Sequence, residues 1–181
     1  GVTPRRFVIV SNPGLTRLIN ATIGDKWPGK LYELRKLEYF ADEAAFVEQF
    51  KSVKLENKKR LAALIKENTG IIVNPDSMFD IHVKRIHEYK RQHLNVLHIL
   101  TLYLRIKQNT LAEVVPRTFI FAGKAAPGYY MAKLMIKLIN CTADIINNDP
   151  DVKDRLKVVF FPNFNVTNSQ NIYPAADLSE Q

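Results

Sequence analysis

The sequence predicts an α/β fold, in which a helical segment (residues 1–70) precedes a parallel βαβαβ sheet (residues 71–181). Two observations lead to this prediction. Short runs of apolar and β-branched residues alternate with longer stretches in which apolar residues recur every three or four positions. Each connection between two such runs can contain a crossover helix, which favours parallel strands with right-handed connections. The apolar fraction of 46% is sufficient for a buried core.

The helical segment contains clear helix-end signals. Residues 12–24 combine an asparagine cap, a proline in the first turn and a glycine stop around an apolar pattern. A longer helical pattern covers residues 42–70. Between the two, apolar residues recur every three positions, at Leu31, Leu34, Leu37 and Phe40. Residues 7–10 differ, because the β-branching in Phe7-Val8-Ile9-Val10 predicts a short strand.

The second segment is predicted to alternate strands and helices. Strands are predicted at 79–84, 118–122 and 156–161, with helices from the first strand to about Lys107 and from Tyr130 to Ile146. The last two strands are nearly all apolar, as expected for strands that are buried on both faces. Ligands of parallel sheets bind beyond the carboxyl ends of the strands. We therefore expect the functional site in the loops at 84–90, 122–130 and 162–168.

Four cations crowd the predicted start of the first long helix, namely Lys84, Arg85, Lys90 and Arg91. Cations are unfavourable in the first turn of a helix, because the positive end of the helix dipole lies there. A bound anion would compensate, since free N–H groups beside several cations form a phosphate site. The alternative is a solvated charged face that caps the sheet.

A glycine-bounded loop, Gly123-Lys124-Ala125-Ala126-Pro127-Gly128, follows the second strand and precedes a helix. Phosphate-binding loops occupy this position, but the segment matches neither the Walker A pattern nor Gly-x-Gly-x-x-Gly. Two explanations of its glycines stay open. One is the close approach of a ligand, and the other is a tight turn that requires glycine.

Several other functions are not expected from the composition. The net charge is +8, but the cations are spread along the chain and are not interleaved with aromatic residues as in nucleic-acid-binding proteins. Cys141 is the only cysteine, which indicates a reducing compartment, and no apolar run approaches the ~20 residues of a membrane span. A metal site is not supported, because the histidines are spaced by five, six and five residues. They are His82, His87, His93 and His98.

Both ends of the sequence suggest an internal part of a longer protein. The chain starts at Gly1 without a methionine, and Asp177-Leu178-Ser179-Glu180-Gln181 reads as the beginning of another element.

Five segments resemble the signature sequences of the glycogen and starch (α-glucan) phosphorylases, in the same order and without an obvious insertion. They are Gly1-Val2-Thr3-Pro4-Arg5-Arg6, Ser11-Asn12-Pro13-Gly14-Leu15, Val83-Lys84-Arg85-Ile86-His87-Glu88-Tyr89-Lys90-Arg91-Gln92, Gly123-Lys124-Ala125-Ala126-Pro127-Gly128-Tyr129 and Pro174-Ala175-Ala176-Asp177-Leu178-Ser179-Glu180-Gln181.

The resemblance implies a two-domain glycosyltransferase-type architecture with Rossmann-like halves, of which this chain would form the first part of the C-terminal domain. It implies a cytoplasmic homodimer (plastidic if from a plant) that contains pyridoxal phosphate. Such an enzyme uses inorganic phosphate to release α-D-glucose 1-phosphate from α-1,4-glucans with retention, and the cofactor phosphate exchanges a proton with the substrate phosphate. The Schiff-base lysine would lie beyond Gln181, so the chain alone is expected to be inactive.

The matching positions imply roles for individual residues. Lys84 would hold the cofactor phosphate, Arg85 and Lys90 would hold the substrate phosphate, and Tyr89 would contact a glucose hydroxyl. Tyr129 resembles an aromatic residue at the mouth of the active site, where ring-shaped inhibitors stack in some relatives. Three positions near the cofactor depart from the family pattern: Phe7 (usually Trp), Phe164 (usually Tyr) and Asn165 (Arg in some members). Residues 168–173 also depart from it.

Two alternative functions stay open. A sugar-nucleotide glycosyltransferase of the same architecture would need no pyridoxal phosphate. A non-catalytic glucan-binding remnant would account for Phe7, Phe164 and residues 168–173, but it would not account for the intact Lys84, Arg85, Tyr89 and Lys90.

Overall fold

A computed structural model describes residues 8–108 and 114–180 of the chain. Within these ranges the α-helices are α1 (Pro13–Ile23), α2 (Ala44–Thr69), α3 (Gln92–Lys107), α4 (Tyr130–Asn147) and α5 (Val166–Ala175). The strands are β1 (Met78–Val83), β2 (Arg117–Ala122), β3 (Leu156–Phe161) and β4 (Leu178–Ser179). Four 3-10 helices occupy Trp27–Gly29, Leu31–Phe40, Glu88–Lys90 and Lys153–Arg155.

The described strands form a parallel sheet in the order β3-β2-β1-β4, which confirms the predicted α/β fold. Val83 at the end of β1 is in register with Ala122 at the end of β2, and Ala122 is in register with Phe161 at the end of β3. The carboxyl ends therefore meet along one edge of the sheet. This arrangement brings the loops that follow β1, β2 and β3 to the same side.

The core of the sheet lies where α3 and α4 cover β2 and β3. Every residue of β2 after Arg117 is buried, as the apolar run predicted. Residues Ile139, Ala143 and Ile146 of α4 recur with helical spacing and face the same cluster. The other buried members are Val96, Ile99, Ile106, Phe119, Phe121, Val152, Leu156 and Val158. This packing fixes the two strands whose ends carry the loops of interest.

The chain divides into two compact units. One contains residues up to Arg60 together with Val166–Ala175, and the other contains Leu61–Asn165 with the residues from Ala176 onward. The sheet and the expected site belong to the second unit. In the first unit, the Asn12 side chain caps α1 by accepting a bond from the Leu15 N–H (3.3 Å). The division at residue 70 proposed from the sequence stays a prediction.

Two parts of the first unit differ in detail from the sequence prediction. Val8 and Ile9 are helical, so the strand predicted for residues 7–10 is wrong at these positions, and Phe7 lies outside the described residues. The Val8 carbonyl accepts a helix-type bond from the Asn12 N–H (3.1 Å), which outweighs the β-propensity of the branched side chains. The period of three in residues 31–40 produces a 3-10 helix, whose side chains at i and i+3 eclipse.

Among the described residues, no helix combines the length and apolar character needed to cross a bilayer.

Candidate active site

The basic stretch forms an irregular loop, residues 84–91, between β1 and α3. The loop predicted at 84–90 is confirmed, whereas the helix expected to start directly after the strand begins only at Gln92. The Lys84 N–H donates to the Ala122 carbonyl (3.0 Å) and the Ile86 N–H donates to the Lys124 carbonyl (3.2 Å). These bonds hold the loop against the segment after β2 and prevent helix formation there. Lys84 and Arg85 therefore do not oppose the helix dipole.

Two features close the loop onto α3. The buried side chain of Gln92 donates from Nε2 to the Arg85 carbonyl (3.2 Å). Arg91 adopts a left-handed backbone with φ 57° and ψ 37°, and its carbonyl accepts bonds from the first turn of α3. A non-glycine residue in this region costs about 1 kcal/mol or more, and such strain is frequent at functional sites.

Gly123 lies directly behind the loop. A Cβ at this position would overlap the Lys84 carbonyl oxygen and lie 2.9 Å from the Lys84 carbonyl carbon. The glycine is therefore required by backbone packing against Lys84, whereas Gly128 at the other end of the segment has open space around it. Both explanations offered from the sequence concerned a ligand or a turn, and neither anticipated this backbone contact.

Lys84 and Lys90 both act electrostatically on the imidazole of His82. Burial and the positive charges of Lys84 and Lys90 lower the pKa of His82 to about 4, while the backbone of Lys90 partly opposes the decrease. The two lysines, placed at opposite ends of the loop in sequence, therefore influence the same buried ring. Arg85 is exposed, and no carboxylate of the described residues lies within 4.0 Å of it.

An aromatic cluster forms the outer part of the loop. The ring of His87 lies 4.2 Å from that of Tyr89 and 4.9 Å from that of Tyr129. The Tyr129 hydroxyl donates to Glu88 Oε2 (2.6 Å) and accepts from the Glu88 N–H (3.2 Å). The carboxylate of Glu88 raises the pKa of Tyr129 through this bond. The carboxylate of Glu88 is thus engaged in a hydrogen bond with Tyr129.

Tyr89 remains accessible in this cluster. Its side chain is 66% exposed, and Lys90 Nζ lies 4.9 Å from the centre of its ring. The cation–π contact keeps a positive charge beside the phenol.

The loop after β3 reaches the same edge of the sheet. Phe164 is half-buried, and exposed Asn165 donates from Nδ2 to the Asn163 carbonyl (3.0 Å). Phe7 cannot be placed, because it lies outside the described residues. The predicted loop 162–168 is shorter than expected, since α5 begins at Val166.

Two polar side chains below the loop were not predicted as site residues. His82 and Asn95 are buried, and the Asn95 Nδ2 group lies 3.3 Å from His82 Nδ1. The available signal was the alternation of β1, which places Asp80 and His82 on the same face. Burial raises the pKa of Asp80 to about 6, with Glu180 adding to the increase and Arg117 opposing it.

The arrangement favours an anion. Lys84, Arg85 and Lys90 come from one loop, and the hydrogen bond to Tyr129 engages the single acidic residue in this loop, Glu88. Across residues 8–108 and 114–180, no group of three or more histidine, cysteine, aspartate or glutamate side chains could hold a metal ion. Arginine and lysine at the carboxyl edge of a parallel sheet are well suited to phosphate.

Comparison with known proteins agrees with this chemistry. The chain is 60% identical to a glycogen phosphorylase of Synechocystis sp. over all 181 residues, which are 21% of that protein. Identity is 51% to a glycogen phosphorylase of Chlamydia pneumoniae and 50% to the muscle form from Oryctolagus cuniculus, in both cases over the whole chain and 22% of the relative. The chain thus spans about a fifth of the length of these relatives. Residues 1–181 match the family described as carbohydrate phosphorylase, and the chain belongs to that family.

Proposed function

We propose that the chain is part of an α-1,4-glucan phosphorylase, which uses inorganic phosphate to release α-D-glucose 1-phosphate from glycogen, starch or maltodextrin. The observation that carries the proposal is the position of Lys84, Arg85 and Lys90 in one loop at the carboxyl edge of a parallel sheet. The names of the relatives support it. The activity would belong to the whole protein, because the chain covers only about a fifth of their length.

In this proposal the loop binds two phosphate groups. Arg85 and Lys90 bind the substrate phosphate, and Lys84 binds the phosphate of the cofactor. Two phosphates held close together repel each other. A cation at ~4 Å offsets this repulsion by about 4 kcal/mol at an effective dielectric near 20. The contribution of exposed Arg85 is smaller, because solvent screens it.

The residues fit a phosphate-bearing cofactor such as pyridoxal phosphate. Lys84 is half-buried, its N–H is bonded to Ala122, and Gly123 packs against its carbonyl, so its backbone is held in one place. Phe164 and Asn165 would contact the cofactor from the loop after β3. When bound, the cofactor would supply a phosphate group that exchanges a proton with the substrate phosphate.

The sugar would lie beside Tyr89, whose exposed hydroxyl can bond a glucose hydroxyl next to the cations. Tyr129, held by Glu88, would form the rim of the same site. The homodimer implied by the family resemblance is a further part of the proposal, and light scattering of the full-length protein tests it.

The direct test is to incubate the full-length protein with maltodextrin and inorganic phosphate and to measure glucose 1-phosphate. We expect turnover in the wild type, loss of about 100-fold to 1,000-fold in Lys84→Met and Lys90→Met, and normal turnover in Lys133→Met. Lys133 is a matched control, because it is an exposed lysine on α4 outside the loop. Normal turnover in both loop variants would contradict the site assignment.

The same preparation separates the alternatives. Pyridoxal phosphate absorbance together with phosphate-dependent product supports the phosphorylase. Turnover with a sugar nucleotide and no pyridoxal absorbance would establish the glycosyltransferase instead. Glucan binding without either reaction would establish the non-catalytic remnant.

A further inference from the structure

The loop of residues 84–91 rests on an unusual polar pair in the core of the sheet. His82 in β1 is 4% exposed and Asn95 in α3 is 9% exposed. The imidazole lies on the ring of Phe121 in the neighbouring strand, with centroids 5.8 Å apart and an interplanar angle of 24°. Burial of a polar group costs free energy unless the group is hydrogen-bonded.

The hydrogen bond of this pair spans the base of the loop. Asn95 Nδ2 lies 3.3 Å from His82 Nδ1. His82 precedes the first cation of the loop, Lys84, and Asn95 follows the last, Arg91, so the bond joins the strand before the loop to the helix after it. With the amide in this orientation, Nδ1 accepts and the ring carries its proton on Nε2.

The pair has two further buried polar atoms. His82 Nε2 and Asn95 Oδ1 are buried and have no hydrogen-bond partner within the described residues. Both side chains line a chamber of about 300 Å³ whose other walls include Lys90, Arg91 and Glu180. A chamber of this size with several polar atoms can hold ordered water. His82 and Asn95 therefore line the same cavity as Lys90 and Arg91 of the loop.

The charges around the imidazole of His82 determine its protonation state. Lys84 and Lys90 both act on His82, and burial together with these two cations keeps the imidazole neutral near pH 7. A neutral ring adds no third positive charge beneath the loop that carries these two ammonium groups.

We propose that His82, held by Asn95, is a positioning residue that fixes where Lys84 and Lys90 present their charges to phosphate. The inference rests on the proposed phosphate-binding function of the loop. It concerns how the cations are placed and adds no chemical step. Neither side chain belongs to the basic stretch that the sequence indicated.

The test uses the full-length protein and two readouts, KM values in glucan phosphorolysis and calorimetric titration with inorganic phosphate. His82→Phe keeps a ring on Phe121 but cannot bond to Asn95. We expect both the KM and the Kd for phosphate to rise about tenfold, which corresponds to about 1.4 kcal/mol, with the KM for maltodextrin unchanged within about twofold. Asn95→Leu should give the same increase, and the double variant should be no worse than either single variant.

Two further variants separate positioning from stability. His82→Gln retains a donor and an acceptor and should restore phosphate affinity to within about twofold of the wild type. Thr118→Val removes an equally buried hydroxyl pair, Ser77–Thr118 (2.7 Å), next to the amino-terminal end of the sheet. It should lower stability and leave both phosphate constants unchanged. If His82→Phe does not fold, Asn95→Leu provides the same comparison.

Failure of this inference and failure of the proposed phosphorylase activity give different results. A wild-type protein that binds phosphate but releases no glucose 1-phosphate would refute the phosphorylase activity, and the titrations would still decide the role of His82. The inference would be overturned if folded His82→Phe and Asn95→Leu had the same KM and Kd for phosphate as the wild type. It would also be overturned if the wild-type protein did not bind phosphate.

Discussion

The absence of a side chain at Gly123 lets the end of β2 approach the backbone of Lys84 at the end of β1. The contact involves the Lys84 carbonyl group, and the backbone on both sides of it is held, because the Lys84 N–H donates to the Ala122 carbonyl (3.0 Å) and the Ile86 N–H donates to the Lys124 carbonyl (3.2 Å). The position of a proposed phosphate ligand thus depends on a residue in another loop.

We predict that Gly123→Ala shifts the backbone of Lys84, because the new Cβ would overlap backbone atoms and not a flexible side chain. The expected loss of stability is about 3 kcal/mol. Gly128→Ala is the matched control, since no atom lies within 4 Å of its added Cβ. Thermal unfolding and hydrogen exchange in residues 84–91 measure the effect. Equal behaviour of the two variants would show that the backbone contact is unimportant.

Two ionisable side chains on the same face of β1 have pKa shifts in opposite directions with one main cause. Burial raises the pKa of Asp80 to about 6 and lowers the pKa of His82 to about 4. In both residues burial disfavours the charged form, which is an anion for aspartate and a cation for histidine. Near pH 7 the imidazole of His82 is therefore neutral, whereas the carboxyl of Asp80 is still largely ionised and lies 3.4 Å from Arg117.

At the level of elements, Asn147 at the end of α4 binds the outer edge of β3. Its Nδ2 group donates to the Val158 carbonyl (2.7 Å), and its Oδ1 atom accepts from the Val158 N–H (3.0 Å). Among the described strands, β3 is at one end of the sheet order. The side-chain amide thus pairs with both backbone groups of Val158 in the way a neighbouring strand would, which protects an exposed edge.

Asn147→Ala should leave both backbone groups of buried Val158 without this partner and destabilise the fold by about 1 to 3 kcal/mol. Asn140→Ala on the same helix is the control, because exposed Asn140 donates to the Ile136 carbonyl of its own helix (2.8 Å) and not to a strand. The amide exchange rate of Val158, measured by NMR or mass spectrometry, should rise in the first variant only. An unchanged rate in Asn147→Ala would contradict the edge-pairing interpretation.

The elements that could be predicted from the sequence are those set by local pattern. β3 was predicted at its observed bounds, 156–161, because a run of apolar and β-branched residues has few alternatives. The start of α3 was not predicted correctly, because it depends on the bonds of Lys84 and Ile86 to the loop after β2 and on the left-handed Arg91. Helix α5 was not identified, since its composition is polar and it contains Pro174.

The candidate site shows the same limit. Lys84, Arg85, Tyr89 and Lys90 are close in sequence, so one motif sufficed to group them. Contacts that join distant segments could not be predicted in this way. The bond of Tyr129 to Glu88 requires the packing of two loops, and the bond of Asn95 to His82 requires α3 to lie on β1.

For the whole molecule, the distribution of charge matters more than its total. The net charge is +8, but the cations are spread along the sequence. Four of them, however, lie within residues 84–91, and the fold places this loop at the edge where the loops after β1, β2 and β3 meet. A phosphate would therefore respond to a local positive field, whereas a neutral glucan would not.

This difference predicts a selective effect of ionic strength on the proposed reaction. Raising KCl from about 0.05 to about 0.3 M shortens the screening length from above 10 Å to below 8 Å. Because Arg85 is exposed and Lys84 and Lys90 are only half-buried, we expect the KM for phosphate to rise about threefold to fivefold over this range. The KM for maltodextrin should change less than about twofold, since the glucan carries no charge.

The variant Arg85→Gln tests the same prediction. It should have a higher KM for phosphate at low salt and a weaker dependence on KCl, with Arg105→Gln on α3 as the control outside the loop. A parallel rise of both KM values would indicate a general effect of salt on the protein and would contradict a local cation site for phosphate.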